Sequence, residues 1–257
     1  MFDEIDFSGF AGRDEKLEKI IRYNMDRRTP MFYRTNLLIH SQRVALILAD
    51  ISEEVSKAYK EEFNYKKALT LALVHDDAEI VTGDIQLYHK DRMSDEELKK
   101  IHKNELKGIN SLSSIWPSEI NGFQYKSLLM NALNKNCLEA QIVSYCDKVD
   151  AFCECLHEVY AGNSKFTGPA KDYIDKIRGF PVKFPSLKKL LFGKLEHSLL
   201  TFPKDLDIEK ILKEGKFHTI EGIGKISGIS HYDRWKELTI KNFGEDVLIN
   251  VKEDIRK

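Results

Sequence analysis

Residues 68–74 read Ala-Leu-Thr-Leu-Ala-Leu-Val, and this run constrains the fold more than any other part of the chain. A helix that is apolar on most of its sides has no face for solvent, so the run predicts a central helix surrounded by other elements. The next two residues, His75 and Asp76, are ionisable and are predicted to continue the same helix. A buried carboxylate must be paired, hydrogen-bonded or bound to a metal ion.

Helical patterns cover most of the first 161 residues. A helix is expected from about Leu37 to Val55, with Thr35 or Asn36 as its N-cap. Further helices are indicated by an amphipathic stretch over 15–23 and by a capping box at Ser94, which begins a helix to about Leu112. Pro117 suits the first turn of a helix that extends to about Leu133. A regular helical pattern runs from Leu138 to Tyr160, and Gly162 is expected to end it. We predict an all-α fold with no confident strands.

The chain changes character after Gly162. Prolines at 169, 181, 185 and 203 predict short helices, and glycines at 215, 222, 224 and 228 predict a looser region. We therefore expect a helical core over residues 1–161 and a C-terminal helical extension over 162–257. The pattern leaves open whether the extension is a lid, a dimerisation surface or helices packed on the same domain.

The composition limits the cellular location and the kinds of binding partner that the chain is expected to have. Forty basic residues against forty-one acidic ones give a formal charge of -1, and no basic run with interleaved aromatic residues predicts nucleic-acid binding. No apolar run approaches the roughly 20 residues that cross a bilayer, and residues 1–6 lack the order of a secretory signal. The four clustered cysteines are expected to be free thiols. We predict a cytoplasmic protein without membrane contact.

Two other ionisable residues lie on inward-facing helical stripes. His40 precedes Val44 and Ile47 at helical spacing, and Asp147 lies between Val143 and Ala151. Each alone is compatible with an ordinary core residue or a local ion pair. Together with His75 and Asp76, however, they place two imidazoles and two carboxylates on three helices, where a shared cation would satisfy all four.

The segment 74–85, Val-His-Asp-Asp-Ala-Glu-Ile-Val-Thr-Gly-Asp-Ile, resembles the signature of HD-domain phosphohydrolases, and within that superfamily the 5′-deoxynucleotidase branch. The upstream Arg34 and His40-Ser41 and the downstream segment 146–152, Cys-Asp-Lys-Val-Asp-Ala-Phe, resemble the other two motifs in the same order. The resemblance covers about residues 30–160 and implies an HD-domain helical bundle.

The resemblance implies one metal ion held by His40, His75, Asp76 and Asp147. Two nitrogen and two oxygen donors suit Mn²⁺, Fe²⁺, Co²⁺, Ni²⁺ or Zn²⁺, with Mg²⁺ a further candidate, and ligand chemistry does not choose among them. The ion would act as a Lewis acid and generate a nucleophilic hydroxide.

Three more residues receive roles. Glu79 follows His75 by four residues, which predicts that it orients the attacking water or moves its proton; the alternative is an exposed side chain near a helix end. The resemblance places Asp84 beside the scissile phosphate as proton donor to the leaving oxygen, whereas its position after Gly83 also suits a helix cap. Arg34 is the candidate phosphate ligand, with a solvated arginine as the alternative.

The remaining ionisable residues lie outside the ligand set. Asp77 and Asp150 flank the motifs and are expected to support the site from behind or to face solvent, and Asp150 begins a polar stripe that continues to Glu154. Six histidines match no motif and are interpreted mostly as surface side chains: His89, His102, His157, His197, His218 and His231.

The predicted function is hydrolysis of a nucleotide phosphate ester, foremost that of a (deoxy)nucleoside 5′-monophosphate, with the small-molecule nucleotide as the partner. Two alternatives use the same metal site, namely a nucleoside triphosphate triphosphohydrolase and a cyclic-nucleotide phosphodiesterase. A third is a non-catalytic module that binds a nucleotide or a partner protein, although such a module would be expected to lack a ligand or Glu79. A homo-oligomer, foremost a dimer, is also expected by resemblance.

Overall fold

Helices Leu37–Tyr59 (α2) and Leu138–Tyr160 (α8) pack against each other and against helix Tyr65–Val74 (α3) at the centre of the fold. The computed structural model describes residues 5–23, 31–193, 195–203, 205–214 and 228–248. Every residue from Ala68 to Val74 is buried. The prediction of a central apolar helix is therefore confirmed.

The other α-helices surround this centre. In chain order they are Arg13–Glu18 (α1), Glu79–Thr82 (α4), Leu87–Lys90 (α5), Asp95–Ile115 (α6), Tyr125–Asn134 (α7), Thr167–Lys183 (α9), Lys188–Leu191 (α10), Ile208–Glu214 (α11) and Ser230–Phe243 (α12). Single 3₁₀ turns span Lys60–Glu62, Ser164–Phe166, Pro185–Leu187 and Glu245–Leu248. Extended pairing within the described ranges consists of one short hairpin and an isolated bridge between Ile21 and Asn36. The predicted all-α class is confirmed.

Side-chain caps fix two of the helix starts that the sequence predicts. The Asn36 side chain accepts a hydrogen bond from the Ile39 amide at 3.0 Å and begins α2. Ser94 and Glu97 form a reciprocal capping box that begins α6. Each cap satisfies amide groups that have no partner within the helix.

The predicted helix start at Pro117 is wrong. The chain instead forms an antiparallel hairpin, with strands Glu119–Ile120 (β1) and Phe123–Gln124 (β2), before α7 begins at Tyr125. The two turn residues between the strands, Asn121 and Gly122, both have positive φ, at 56° and 84°. Asn-Gly is the pair that most favours this two-residue turn, so the local turn chemistry outweighs the helix signal of the proline.

The prediction that Asp76 continues the apolar helix is also wrong. Helix α3 ends at Val74, and residues 75–78 form a tight turn in which the Asp77 amide donates to the Val74 carbonyl at 3.0 Å. Helix α4 begins immediately afterwards at Glu79. The turn points the adjacent carboxylates Asp76 and Asp77 into different surroundings.

The C-terminal helices pack on the same core rather than standing apart. Helix α9 lies along α8, and α12 contacts both α2 and α8. The expectation of only short helices here is wrong for α9, which has 17 residues and includes Pro169 and Pro181. Pro169 occupies the first turn, where the missing N–H has no helical partner, and Pro181 lies in the last turn. Gly215, Gly222 and Gly224 lie outside the described residues.

Two further sequence predictions concern the chain as a whole. None of the helices in the described ranges is long and apolar enough to cross a membrane. The four cysteines are free thiols, with Cys137 half-buried and Cys146, Cys153 and Cys155 buried.

Candidate metal centre

The four side chains predicted as metal ligands converge where α2, α3 and α8 meet. The Nε2 atom of His40, on α2, lies 3.3 Å from Asp76 Oδ2 and 3.4 Å from Asp147 Oδ1. The Nε2 atom of His75 lies 3.3 Å from the same Asp76 oxygen. The structure thus brings together two residues of the turn after α3 with one residue from each of the two long helices.

The hydrogen bonds of the two histidines leave a lone pair on each Nε2. Nδ1 of His40 lies 2.7 Å from Asp150 Oδ2, and Nδ1 of His75 lies 2.8 Å from the Ala72 carbonyl oxygen. Both partners are acceptors, so each Nδ1 donates its proton. The two Nε2 atoms are buried and have no hydrogen-bond partner within the described residues. Metal-bound histidines show this arrangement, in which one ring nitrogen is held from behind and the other is left bare.

The electrostatics of the cluster favour a cation. Burial and the charge of Arg22 lower the pKa of His40, but the adjacent carboxylates of Asp147, Asp150 and Asp76 raise it well above the usual value. Burial raises the pKa of Asp147, yet the positive charges of Lys148 and His40 bring it well below the usual range. A divalent ion would satisfy the lone pairs and the carboxylates at once, so these residues fit a metal centre.

A buried network of charges holds His40 from behind. Asp150 accepts hydrogen bonds from His40 and from Nε1 of Trp235, the latter at 2.7 Å, and its carboxylate also contacts the Arg43 guanidinium. Glu154 pairs with Arg43 and, at 3.0 Å, with Arg22. The expectation of a polar stripe on α8 is confirmed, and the stripe points at the back of the metal centre.

A cavity of about 170 Å³ is lined by three of the four side chains, His75, Asp76 and Asp147, and also by Glu79. The Oε2 atom of Glu79 is buried and accepts no hydrogen bond within the described part of the chain. Burial, followed by the charges of Asp76 and Asp84, raises the pKa of Glu79 well above its usual value. Glu79 is therefore a buried carboxyl group that faces open space next to the ligand set.

Asp84 lines the same cavity but does not cap a helix. Its Oδ2 accepts hydrogen bonds from the Tyr23 amide and from the Gln86 side chain, each at 3.2 Å. Helix α5, which follows, has no side-chain cap. Asp84 therefore fixes the segment around Tyr23 while its carboxylate stays at the cavity wall.

Arg34, the candidate phosphate ligand, and Arg22 occupy different places. Arg34 is half-buried and donates to the Tyr23 carbonyl at 2.8 Å, and it is not among the residues that line the cavity. Arg22 lines the cavity instead. The backbone of Arg22 pairs with that of Thr35, ahead of α2: the Arg22 amide donates a hydrogen bond to the Thr35 carbonyl at 2.9 Å. Sequence reasoning missed Arg22 because this pairing joins two segments that have no shared local pattern.

Residues outside the ligand set differ from expectation in two respects. Asp77 is buried but faces away from the cavity, toward Arg13 and Tyr125. His157 and His231 are buried, so their interpretation as surface side chains is wrong. His102 is exposed, His89 and His197 are partly buried, and His218 lies outside the described residues. Nothing in the local sequence marks His157 and His231 as core residues.

Comparison with known proteins now decides the family. A family model described as 5′-deoxynucleotidase YfbR-like matches residues 10–190. The chain belongs to this family. The resemblance to HD-domain phosphohydrolases of the 5′-deoxynucleotidase branch is thereby confirmed.

Individual relatives agree with the YfbR-like assignment. A 5′-deoxynucleotidase of Photobacterium profundum is 29% identical over 163 residues, which are 61% of this chain and 80% of the relative. A 4′-phosphooxetanocin A phosphatase of Priestia megaterium is 29% identical over 159 residues, which are 62% and 78% of the two chains. A solved structure, a conserved hypothetical protein from Pyrococcus furiosus, superimposes with a TM-score of 0.52 at 20% identity and covers 78% of this chain and 96% of its own. This last likeness confirms the fold.

Proposed function

We propose that the chain is a metal-dependent phosphohydrolase that converts a (deoxy)nucleoside 5′-monophosphate into nucleoside and inorganic phosphate. The observation that carries this proposal is the pair of bare, buried Nε2 atoms that face two carboxylates at the edge of a cavity. The YfbR-like family match and relatives named as 5′-deoxynucleotidases support the reaction class.

The proposed ligands of one divalent metal ion are His40, His75, Asp76 and Asp147. Two imidazole nitrogens and two carboxylate oxygens suit Mn²⁺, Co²⁺, Fe²⁺, Ni²⁺ or Zn²⁺, and Mg²⁺ is a further candidate. When bound, the ion supplies Lewis-acid polarisation of the phosphate and lowers the pKa of water.

The protein side chains then position the substrate and move protons. Arg22 has a guanidinium at the cavity wall, where it can hold phosphate oxygens by charge-assisted hydrogen bonds. Arg34, which the sequence suggests for that task, supports the Tyr23 segment instead. Glu79 is proposed to take a proton from the attacking water, and Asp84 to give one to the leaving oxygen.

A second cavity offers room for the nucleoside. It measures about 360 Å³, its wall includes Tyr23, Phe166 and Pro169, and it shares Gln86, Leu87 and Tyr173 with the first cavity. Aromatic and apolar side chains of this kind suit the faces of a base and a sugar. We propose that the phosphate lies in the first cavity and the nucleoside in the second.

The test begins with metal removal. The purified protein is stripped of metal, and Mn²⁺, Co²⁺ or Mg²⁺ is restored singly. The products are then identified for a panel of nucleoside monophosphates, nucleoside triphosphates and cyclic nucleotides. Turnover of monophosphates that requires metal is expected. Turnover of triphosphates or cyclic nucleotides alone would overturn the choice of substrate, and the release of tripolyphosphate rather than phosphate would identify a triphosphohydrolase. Stoichiometric metal without any turnover would favour the binding-module alternative.

The structure also bears on the C-terminal extension. Because α9 packs on α8, and α12 on both α2 and α8, we propose that the described residues of the C-terminal extension, up to 248, form part of the catalytic domain rather than a separate lid. A homo-oligomer, foremost a dimer, is likewise proposed. Light scattering at several protein concentrations tests it, and a monomer at all of them would overturn it.

A further inference from the structure

The cavity beside the metal centre has a basic wall. Three lysines line it, Lys90 on α5, Lys135 directly after α7 and Lys148 on α8. Two of them are matched by carboxylates, since Lys148 contacts Asp147 and Lys90 donates to Glu105 at 3.3 Å. Their positive charges are therefore neutralised within the protein.

Lys135 has no such partner. Its ammonium group contacts the Ala132 carbonyl at 3.4 Å, and no carboxylate within the described residues lies within ion-pair distance of it. The side chain is half-buried, and burial together with the nearby charge of Lys148 lowers the pKa of Lys135 to about 8. An unmatched cation in a confined polar cavity is costly unless an anion joins it.

The backbone conformation of Lys135 is also unfavourable. Lys135 ends α7 with φ 51° and ψ 40°, in the left-handed region where glycine or asparagine is the usual residue. The chain thus carries a long cationic side chain at a position where a smaller residue would be less strained. That side chain lies at the wall of the cavity rather than in open solvent.

We infer that Lys135 binds a phosphate group in this cavity, as a subsite separate from the metal ligands. This inference rests on the proposed function for the identity of the anion. The phosphate group that Lys135 binds has two candidate sources. It is either the phosphate that is cleaved and released or a second phosphate carried by a longer substrate.

The first experiment measures binding of inorganic phosphate to the Mn²⁺-loaded protein by calorimetry, without turnover. Loss of one charge-assisted hydrogen bond predicts about tenfold weaker binding in Lys135→Gln. Glutamine keeps a similar length and the same backbone strain, and Lys135→Arg should restore binding. The matched control is Lys126→Gln, which removes an exposed lysine from the same helix. Equal phosphate affinity in wild type and Lys135→Gln would overturn the inference.

The second experiment separates the two sources. KM is measured for a nucleoside 5′-monophosphate and for the corresponding 5′-diphosphate. A rise in KM for the monophosphate in Lys135→Gln assigns the subsite to the cleaved phosphate, whereas a rise for the diphosphate alone assigns it to a second phosphate. If no nucleotide is turned over but phosphate binding still weakens in Lys135→Gln, the proposed function fails while the subsite stands.

An independent observation links the C-terminal helix to the metal centre. Trp235 on α12 lies outside the residues that the YfbR-like family model matches, yet only 1% of its surface is exposed. Its indole N–H donates to one oxygen of Asp150, and the other oxygen of Asp150 accepts the His40 Nδ1–H, both at 2.7 Å. We propose that Trp235 is a positioning residue that orients His40 through Asp150.

The test compares the only two tryptophans of the chain. Trp235→Phe is expected to weaken Mn²⁺ or Co²⁺ binding about tenfold, because partners that orient a ligand contribute 10–100-fold to metal affinity. Trp116→Phe is the control, since it also removes an indole hydrogen bond, here to the Ala11 carbonyl at 3.3 Å, which does not contact a proposed ligand. A merely structural role would lower the melting temperature in both variants and leave metal affinity equal, which would overturn the proposal.

A double-mutant cycle shows whether the effect passes through the carboxylate. Asp150→Ala removes both acceptor oxygens, so adding Trp235→Phe to this variant should weaken metal binding by less than a further factor of about two. Full additivity of the two substitutions would show that Trp235 does not act through Asp150. All affinities are measured by calorimetry on protein whose circular dichroism matches the wild type.

Discussion

Asp76 and Asp77 are adjacent in the chain, and their side chains lie in two different kinds of polar cluster. Asp77 accepts hydrogen bonds from Arg13 Nη2 at 2.7 Å, from Arg13 Nε at 2.9 Å and from the Tyr125 hydroxyl at 2.8 Å. Asp76 faces the bare Nε2 atoms of His40 and His75. The first carboxylate meets donors, whereas the second meets lone pairs.

The same contrast separates the buried histidines. Both ring nitrogens of His157 have partners, the Tyr232 hydroxyl at 2.6 Å and the Leu248 carbonyl at 3.1 Å. His40 and His75 have one partner each, behind the ring. A buried polar group whose hydrogen bonds are all formed stabilises the fold. Several neighbouring buried polar groups that lack hydrogen-bond partners mark a binding site. Four substitutions test this distinction.

Asp76→Asn should have the largest effect. Asparagine keeps the shape but supplies a neutral oxygen, so metal-dependent phosphate release should fall by about 10³-fold or more. Helicity by circular dichroism should stay unchanged, because no hydrogen bond of the fold is lost. Phosphate release and metal content are measured together. Retained turnover with metal bound would remove Asp76 from the ligand set.

Asp77→Asn should act on stability instead. Breaking a buried ion pair leaves the Arg13 charge uncompensated, which costs about 3 kcal/mol in the free energy of unfolding. Urea denaturation measures that loss. The rate per folded molecule should remain near that of the wild type. A large drop in turnover with unchanged stability would contradict the assignment of Asp77 to the scaffold.

Glu79→Gln should lower the rate about 10²-fold, since it removes the proposed proton acceptor for water. Metal affinity measured by calorimetry should not change, because Glu79 is not a proposed ligand. Glu105→Gln, which alters another carboxylate of the same cavity wall, serves as the control. Loss of metal binding in Glu79→Gln would move this residue into the ligand set.

His157→Gln should have the smallest effect of the four at neutral pH, and its effect on the free energy of unfolding should depend on pH. Burial lowers the pKa of His157 to about 4, so the folded protein excludes a proton that the unfolded chain binds below about pH 6.5. Stability is therefore lost progressively as pH falls from 6.5 to 4, by roughly 3 kcal/mol for this group. The variant should lose less stability than the wild type over that window, as measured by urea denaturation at several pH values. Parallel pH curves for the two proteins would contradict this.

The sequence predicts those features that depend on local chemistry. The caps at Asn36 and Ser94 place two helix starts, and the apolar run before His75 identifies the central helix. Periodicity places His40 and Asp147 on inward faces of their helices. Each of these signals involves residues within a few positions of one another, where helix geometry is regular.

Features that depend on distant pairing could not be predicted from the sequence. Arg22 reaches the cavity because its backbone pairs with residue 35 across a long connection, and Arg34 is directed to the Tyr23 carbonyl by the same pairing. Trp235 and Asp150 are 85 positions apart. The hairpin before α7 is a different case, because its Asn121-Gly122 turn signal is local and outweighs the helix signal of Pro117.

The four-residue turn after α3 has a consequence for how this enzyme family can diversify. It carries two proposed metal ligands, His75 and Asp76, and at the next position Asp77, the anchor of the Arg13 cluster, so folding and catalysis constrain the same short stretch of chain. A substitution in this turn can therefore reduce both the stability and the activity of the protein. The cavity wall contributed by α9, which includes Tyr173, holds no proposed metal ligand and no member of the Arg13 cluster, so substitutions there can change the fit of the substrate while the metal chemistry stays fixed.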